Sequence, residues 1–189
     1  VPAYTTYIED DYKYLIEDCE PSLVIVSNNE MLQKLNNIIN EKDFIKKVIT
    51  LDEIDKVISN LNFINKEKYL DFNTIIKNNL LEEDKIENNK LNRKSPACII
   101  YTSGTGGNPK GVILSHGGIL NNLVGACEIM KPLFNSRPVF LTWLPLSHSY
   151  EHSVQFAQIA VGAKVIYAEK IENLLENISE AKSTIMTAV

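Results

Sequence analysis

A short segment of small hydroxyl residues, glycines and one lysine offers the chemistry of phosphate binding. It runs Thr102-Ser103-Gly104-Thr105-Gly106-Gly107-Asn108-Pro109-Lys110-Gly111, between two apolar, β-type runs. Glycines let backbone N–H groups converge on one point, because no Cβ blocks positive φ or close approach. Hydroxyl groups and a lysine around such a concavity supply donors and positive charge for an anion. The residues expected to bind phosphate are Thr102, Ser103, Gly104, Thr105, Gly106, Gly107 and Lys110.

Two familiar phosphate loops do not fit this segment. A Walker A loop counted from Gly104 needs glycine where Pro109 stands and a hydroxyl residue where Gly111 stands. A dinucleotide-binding GxGxxG counted from Gly104 also needs glycine at Pro109. A glycine-rich hairpin without a ligand is the alternative, but such hairpins are usually shorter and built on Asn-Gly or Asp-Gly. The segment is therefore predicted to bind phosphate in a loop of a different type.

A second polar segment follows an apolar run and centres on His148. It reads Leu144-Pro145-Leu146-Ser147-His148-Ser149-Tyr150-Glu151. A neutral imidazole here can hold a carboxylate oxygen or share its proton, and a histidine that only caps a helix is the alternative. His148 and His152 are four residues apart, but without a third ligand in reach no metal site is expected. Glu151 and His152 are expected to be surface or packing residues and His116 to be structural. No Ser-His-Asp or Cys-His pairing predicts hydrolysis.

The two segments resemble the signature motifs of the adenylate-forming superfamily, which includes acyl-CoA synthetases, luciferases and peptide-synthetase adenylation domains. The family loop reads Ser/Thr-Ser/Gly-Gly-Ser/Thr-Thr-Gly-x-Pro-Lys-Gly, and only Gly106 departs from it, where a second threonine is common. The segment at His148 is similar to the Leu-Pro-Leu-x-His-x-aromatic-Glu form of long-chain acyl-CoA synthetases. Weaker resemblances occur along the rest of the chain, at 1–4, 14–19, 162–165 and 184–189.

The resemblance implies an ATP-dependent ligase. In that family the loop holds the phosphates of ATP while a substrate carboxylate attacks the α-phosphorus, which gives an acyl-adenylate and pyrophosphate. A thiol such as CoA then takes the acyl group. By the same resemblance, His148 lies near the acyl carboxylate and the adenylate, and the acid is a long-chain fatty acid. ATP, Mg²⁺, fatty acid and CoA are the implied cofactors and substrates, and the hydroxyl missing at Gly106 is expected to weaken ATP binding.

Three family elements do not appear in these residues. They are a Tyr-Gly-x-Thr-Glu segment that meets adenine and supplies the Mg²⁺-linked carboxylate, an aspartate for the ribose hydroxyls, and a C-terminal domain whose lysine reaches the α-phosphate. Family members are also several-fold longer, and the apolar run 184–189 stops without a turn. The chain is therefore expected to be a partial N-terminal domain, inactive alone, with the C-terminal domain absent. A separately encoded remainder is one way to complete it.

Periodicity predicts an α/β fold, with a mostly parallel sheet, flanking helices and each motif at a strand end. By resemblance this is part of the large N-terminal domain of adenylate-forming enzymes. The expected parts are a βαβ-type segment at 1–80, a polar linker at 81–96, and a phosphate-loop and acyl-site segment at 97–189. The predicted strands are 23–26, 47–51, 97–101, 112–114, 139–144, 164–168 and 184–189. The predicted helices are 7–19, 31–39, 71–76, 118–130, 149–161 and 171–181.

Composition excludes several classes of function. The 189 residues are 44% hydrophobic and 23% charged, which is typical of a soluble globular protein. A net charge of −5 argues against an extended basic surface for nucleic acid. No run reaches the length of a membrane span, so any membrane contact is expected to be peripheral. Cys19, Cys98 and Cys127 show neither metal nor disulfide spacing, and are expected to be reduced, buried thiols in the cytoplasm.

Three functional hypotheses are compatible with the sequence. The first is a fragment of a long-chain fatty-acid–CoA ligase, indicated by the loop and by the segment at His148. The second keeps the adenylation but changes the acid or the acceptor, as in an acyl-AMP ligase, an acyl-carrier-protein ligase or an amino-acid adenylation domain. The third is a non-catalytic remnant of a split gene.

Overall fold

Thr102, Lys110 and His148 all belong to one of the two units into which the chain divides. A computed structural model describes residues 1–54, 66–79, 91–102, 108–133, 137–168 and 171–187. The first unit is Thr5–Glu87, and the second joins Val1–Tyr4 to Asn88–Val189. Of the linker predicted over 81–96, residues 81–90 lie outside the described residues, and Pro96 is the first residue of a strand.

The unit Thr5–Glu87 is built on a three-stranded parallel sheet in the order β1-β2-β3. The strands are β1 (Leu23–Val26), β2 (Lys47–Thr50) and β3 (Tyr69–Asp71). The helices are α1 (Glu9–Cys19), α2 (Asn29–Asn40) and α3 (Phe72–Asn79). Because β1 and β2 are parallel neighbours joined through α2, the predicted βαβ connection is confirmed.

Helix α2 forms because apolar residues recur at helical spacing behind a capping asparagine. The Asn28 side-chain oxygen accepts a hydrogen bond from the Met31 backbone N–H at 2.8 Å. The buried residues of α2 join those of β1 and β2 in a single apolar cluster. Its best-buried members are Leu32, Leu35, Ile38, Ile39, Ile45, Val26 and Val48. The apolar face of α2 therefore supplies much of the core of this unit.

The helix predicted over 71–76 is α3 in the structure, but the strand β3 immediately before it was not predicted. β3 has only three residues, too few for a recognisable alternation of apolar and polar side chains. The Asp71 carboxylate accepts a hydrogen bond from the Thr74 N–H at 2.7 Å, which fixes the start of α3. Buried Tyr69 anchors β3, because its hydroxyl lies 2.9 Å from Asn40 Oδ1. Burial raises the pKa of Tyr69 to about 12.

The second unit combines an antiparallel hairpin with a separate parallel sheet. β4 (Pro96–Thr102) and β5 (Lys110–Ser115) form the hairpin. β6 (Val139–Thr142), β7 (Lys164–Tyr167) and β8 (Ile185–Met186) are parallel, in the order β7-β6-β8. The helices are α4 (His116–Met130), α5 (Ser149–Ala160) and α6 (Leu174–Ala181). The predicted α/β class with mostly parallel strands is confirmed, although the strands of the described residues fall into three sheets.

Helix α5 ends in a Schellman motif at Gly162. The Gly162 N–H bonds to the Ile159 carbonyl at 3.1 Å, and the Ala163 N–H bonds to the Gln158 carbonyl at 2.9 Å. Gly162 has a φ of 61°, a left-handed conformation that glycine adopts without a Cβ penalty. The predicted end of this helix at Gly162 is confirmed. None of the helices in the described part of the chain is long and apolar enough to span a membrane.

Candidate functional site

The strand ends that flank the predicted phosphate loop bring Thr102 and Lys110 together. Thr102 is the last residue of β4, Lys110 is the first of β5, and the two are partners in the antiparallel register. Residues opposite one another in such a pair have Cα atoms about 4.5–5.5 Å apart and side chains on the same face. Both residues are exposed. A hydroxyl group and an ammonium group therefore stand at the mouth of the loop, where an anion from solvent can reach them.

The middle of the loop lies outside the described residues. This applies to Ser103, Gly104, Thr105, Gly106 and Gly107, whose predicted contacts with phosphate stay predictions. Asn108 and Pro109 are described and lead directly into β5. The segment is followed by β5, an antiparallel partner of β4, whereas the two excluded phosphate loops are followed by a helix.

The last glycine of the segment, Gly111, makes room for an aromatic ring on the neighbouring strand. Gly111 pairs with Tyr101 across the hairpin. A Cβ on Gly111 would lie 3.2 Å from Tyr101 Cζ and 3.0 Å from Ile99 Cγ2, both tighter than ordinary packing. Tyr101 is 5% exposed. The glycine at this position is therefore explained by the close packing of the hairpin that carries Lys110.

The base of the hairpin is tied to α4 by Arg93 and Ser115. The Arg93 carbonyl accepts a hydrogen bond from the Gly117 N–H at 2.7 Å, and the Arg93 guanidinium donates to Asn121 Oδ1 at 2.5 Å. Ser115 Oγ accepts a hydrogen bond from the Gly118 N–H at 3.1 Å and caps the helix. These bonds fix the strands that carry Thr102 and Lys110 on a helix of 15 residues.

His148 caps α5 with one ring nitrogen and leaves the other available. Its Nδ1 accepts a hydrogen bond from the Tyr150 backbone N–H at 3.2 Å. The side chain is half-buried. A neutral imidazole whose Nδ1 is an acceptor carries its proton on Nε2. The helix-capping alternative is thus realised at Nδ1, while the Nε2–H has no hydrogen-bond partner among the described residues and can still donate to a carboxylate.

His148 lies at the carboxyl end of β6, on a different sheet from Lys110. β6 is the central strand between β7 and β8, and the turn 143–148 leads from its end to α5. In open parallel sheets, ligands bind outside the carboxyl ends of the strands. The structure thus brings Thr102 and Lys110 together at the hairpin and places His148 at a second strand end of the same unit.

A partly open apolar groove lies beside β4, α4 and α5. It has a volume of about 210 Å³ and is lined by β4, α4 and α5, with Cys98, His116, Leu123, His152 and Phe156 among its residues. The rings of His152 and Phe156 meet edge to face, with centroids 5.4 Å apart. His116 and His152 therefore line a partly open groove, and both are half-buried.

Neither a cysteine nucleophile nor a metal centre emerges from these side chains. Cys19, Cys98 and Cys127 are free thiols, half-buried rather than fully buried as expected. Burial raises the pKa of the Cys98 thiol, so it is a poor thiolate at neutral pH despite the nearby histidines. Within the described ranges, no group of three or more His, Cys, Asp or Glu residues could hold a metal ion.

Glu151 lies in the interior rather than at the surface. It is 0% exposed, and its Oε2 accepts a hydrogen bond from the Thr187 hydroxyl at 2.7 Å. Gln158, two turns further along α5, is also buried and donates to Thr142 Oγ1 at 2.8 Å. The spacing 151, 154, 158 repeats the apolar face of the helix, so periodicity alone could have identified Glu151 as a buried residue.

Comparison with known families decides the family of the chain. A model of the AMP-binding enzyme family matches residues 1–189, which is the whole chain. The chain belongs to the AMP-binding enzyme family. The resemblance of the Thr102–Gly111 segment to the loop of adenylate-forming enzymes is thereby confirmed at the level of the family.

Long-chain acyl-CoA synthetases are among the relatives of this AMP-binding chain. Long chain acyl-CoA synthetase 4 of Arabidopsis thaliana is 28% identical over 198 residues, and the alignment covers 100% of the chain and 29% of the synthetase. Long-chain-fatty-acid–CoA ligase 5 of Rattus norvegicus is 28% identical over 195 residues, with 100% and 28% covered. The chain thus spans less than a third of the length of these relatives.

A solved structure confirms the fold of the AMP-binding chain. A putative long-chain-fatty-acid CoA ligase from Rhodopseudomonas palustris superposes with a TM-score of 0.77 at 19% sequence identity. The match covers 100% of this chain and 43% of that one. The two units therefore have the fold of the N-terminal domain of adenylate-forming enzymes.

Proposed function

We propose that this AMP-binding chain is the ATP-phosphate-binding part of a long-chain fatty-acid–CoA ligase. The observation that carries the proposal is the facing pair of Thr102 and Lys110 at the mouth of a glycine-rich loop. The names of the plant and rat relatives support a long-chain fatty acid and CoA as the other substrates. The three free cysteines support a reducing, cytoplasmic location.

The proposed reaction has two steps. A carboxylate oxygen of the fatty acid attacks the α-phosphorus of ATP, the new O–P bond forms, and the bond to the β-phosphate oxygen breaks, so that pyrophosphate leaves. The sulfur of CoA then attacks the acyl carbon, AMP leaves, and the thiol proton passes to solvent. Neither step needs a covalent bond to the protein, so charge neutralisation and positioning carry the rate.

Each site residue has a proposed part in this chemistry. The Lys110 ammonium neutralises phosphate charge, and the Thr102 hydroxyl donates a hydrogen bond to a phosphate oxygen. Between them, the hydroxyl groups of Ser103 and Thr105 and the backbone N–H groups of Gly104, Gly106 and Gly107 complete the cradle. The Nε2–H of His148 holds an oxygen of the fatty-acid carboxylate, since Nδ1 is engaged at the helix cap.

The residues of the hairpin and its loop do not fit a magnesium site. Mg²⁺ is normally held by one or two carboxylates together with substrate phosphates. Residues 96–117, which include the hairpin and its loop, contain no Asp or Glu. The proposal therefore assigns no protein ligand to Mg²⁺ within this chain.

Exchange of labelled pyrophosphate into ATP tests the proposal. The chain alone with a long-chain fatty acid is expected to give no exchange above a protein-free control, because the family segments that carry the Mg²⁺-linked carboxylate and the α-phosphate lysine do not appear in its sequence. Robust exchange would contradict this expectation. A longer protein containing the chain is expected to exchange when a long-chain fatty acid is added. Exchange stimulated by amino acids, or by no acid, would overturn the proposed substrate.

A further inference from the structure

Both ends of the turn that carries His148 are fastened to a single residue, Thr187. At the start of the turn, Trp143 Nε1 donates a hydrogen bond to the Thr187 carbonyl at 2.6 Å. Just beyond its end, Glu151 Oε2 accepts a hydrogen bond from the Thr187 hydroxyl at 2.7 Å. Thr187 is 7% exposed and directly follows β8. Trp143, Glu151 and Thr187 are called the Thr187 clamp below.

Glu151 does not make the hydrogen bond that is usual for a glutamate at its position in a helix. A glutamate at the third helical position ordinarily accepts a hydrogen bond from the backbone N–H of the capping residue. Here the capping residue is His148, and its N–H bonds instead to the Pro145 carbonyl at 2.9 Å. The carboxylate of Glu151 is therefore free to reach out of its own helix to Thr187.

The carboxylate of Glu151 is a costly group to bury. The residue is 0% exposed, and Oε1 has no hydrogen-bond partner among the described residues. Burying a charge is unfavourable unless it is paired or hydrogen-bonded, although the N-terminus of α5 favours a negative charge. A neutral apolar residue would fill the same space without this cost. The bond to Thr187 is thus the contact that distinguishes glutamate from such a residue.

The Thr187 clamp lies where a shift would be transmitted directly to His148. β6 and β8 are parallel neighbours, so their carboxyl ends meet at the same edge of the sheet. His148 is three residues before Glu151, within one helical turn, and five after Trp143. Because the turn is held at both ends, the Nε2–H of His148 keeps a fixed position relative to that edge of the sheet.

We propose that Glu151 and Thr187 are positioning residues that hold His148 at the carboxyl edge of the β7-β6-β8 sheet. The effect on rate rests on the proposed function, in which His148 binds the acyl carboxylate. The mechanical part of the proposal, that the Trp143 and Glu151 ends of the clamp act as one unit through Thr187, does not depend on any activity.

The fluorescence of Trp143 tests the mechanical part, because it is the one tryptophan in the sequence. Thr187→Val removes the hydroxyl that Glu151 needs but keeps the carbonyl that Trp143 needs. If the clamp is one unit, Thr187→Val and Glu151→Leu both shift the emission to longer wavelength and increase acrylamide quenching. Thr187→Ser keeps the hydroxyl and is expected to match the wild type. Wild-type emission and quenching in both clamp variants would overturn the proposal, provided that circular dichroism shows them folded.

Two further variants keep the test decisive if Thr187→Val or Glu151→Leu does not fold. Glu151→Gln preserves the shape and an acceptor oxygen, and is expected to change Trp143 less than Thr187→Ala does. Equal quenching in these two variants would contradict a clamp that acts through the hydroxyl.

Kinetics of a longer, active protein containing the chain test the effect on rate. A misplacement of about 1 Å can cost roughly 10²-fold in rate, so Thr187→Val is expected to lower kcat on that order. KM for ATP is expected to stay near the wild-type value, because Lys110 lies on the hairpin, and Thr187→Ser is expected to restore kcat. Equal kcat in Thr187→Val and wild type would overturn the positioning role. If the clamp variants show the expected fluorescence changes but the longer protein forms no acyl-adenylate, only the proposed function is overturned.

Discussion

Replacement of Lys110 by alanine is expected to weaken ATP binding by about tenfold, a loss of roughly 1.4 kcal/mol. Lys110 is exposed at the first position of β5 and faces Thr102 at the mouth of the loop. Its ammonium group is the positive charge of the loop segment, and it meets a polyphosphate that carries several negative charges. The affinity is measured by isothermal titration calorimetry of the purified chain at low salt, where screening is weakest.

Two variants distinguish an effect of the charge at position 110 from an effect of the net charge of the chain. Lys110→Arg keeps the charge and is expected to retain much of the affinity. Lys164→Ala removes an exposed lysine from the first position of β7, away from the loop, and is expected to bind ATP like the wild type. An equal loss in Lys110→Ala and Lys164→Ala would attribute binding to net charge and contradict a site at the loop.

Replacement of Phe140 by alanine is expected to destabilise the second unit by about 3–5 kcal/mol, the range observed for large aromatic residues in protein cores. Phe140 is 1% exposed in the central strand β6, opposite Val165 of β7 and Ile185 of β8. The truncation leaves a cavity beside the three paired strands, and β6 leads into the turn with His148. Urea denaturation followed by Trp143 fluorescence measures the loss.

Leu175→Ala is the matched control for Phe140→Ala. Leu175 belongs to α6 in the same unit but is 83% exposed, so its removal is expected to change stability by less than about 0.5 kcal/mol. A loss below about 1 kcal/mol for Phe140→Ala would contradict the burial of β6, since large core truncations rarely cost so little.

The secondary structure was predictable wherever local patterns were long and regular. Asn28 and the apolar residues of α2 specify a helix and its start, and Gly162 specifies where α5 ends. The three-residue strand β3 escaped prediction because its pairing with β2 depends on residues distant in sequence. The division of the strands into three sheets was equally out of reach, since sheet partners are chosen by tertiary packing.

The sequence indicates candidate site residues, but not the distant contacts that support them. The types and order of residues from Thr102 to Gly111 indicate phosphate chemistry, because few other arrangements need hydroxyls, glycines and lysine together. The roles of Glu151 and Thr187 depend on a contact across 36 positions of sequence, which no local pattern contains. His148 was predictable only in part. Its motif indicated a ligand, but only the structure showed that Nδ1 caps the helix.

The most direct test of the central claim is an NMR titration of the ¹⁵N-labelled chain with ATP. If the loop from Thr102 to Gly111 binds the phosphates, amide shifts concentrate in that segment, and adenosine without phosphates produces no such shifts there. Shifts confined to other parts of the chain, or none at millimolar ATP, would contradict a phosphate-binding loop and with it the proposed function.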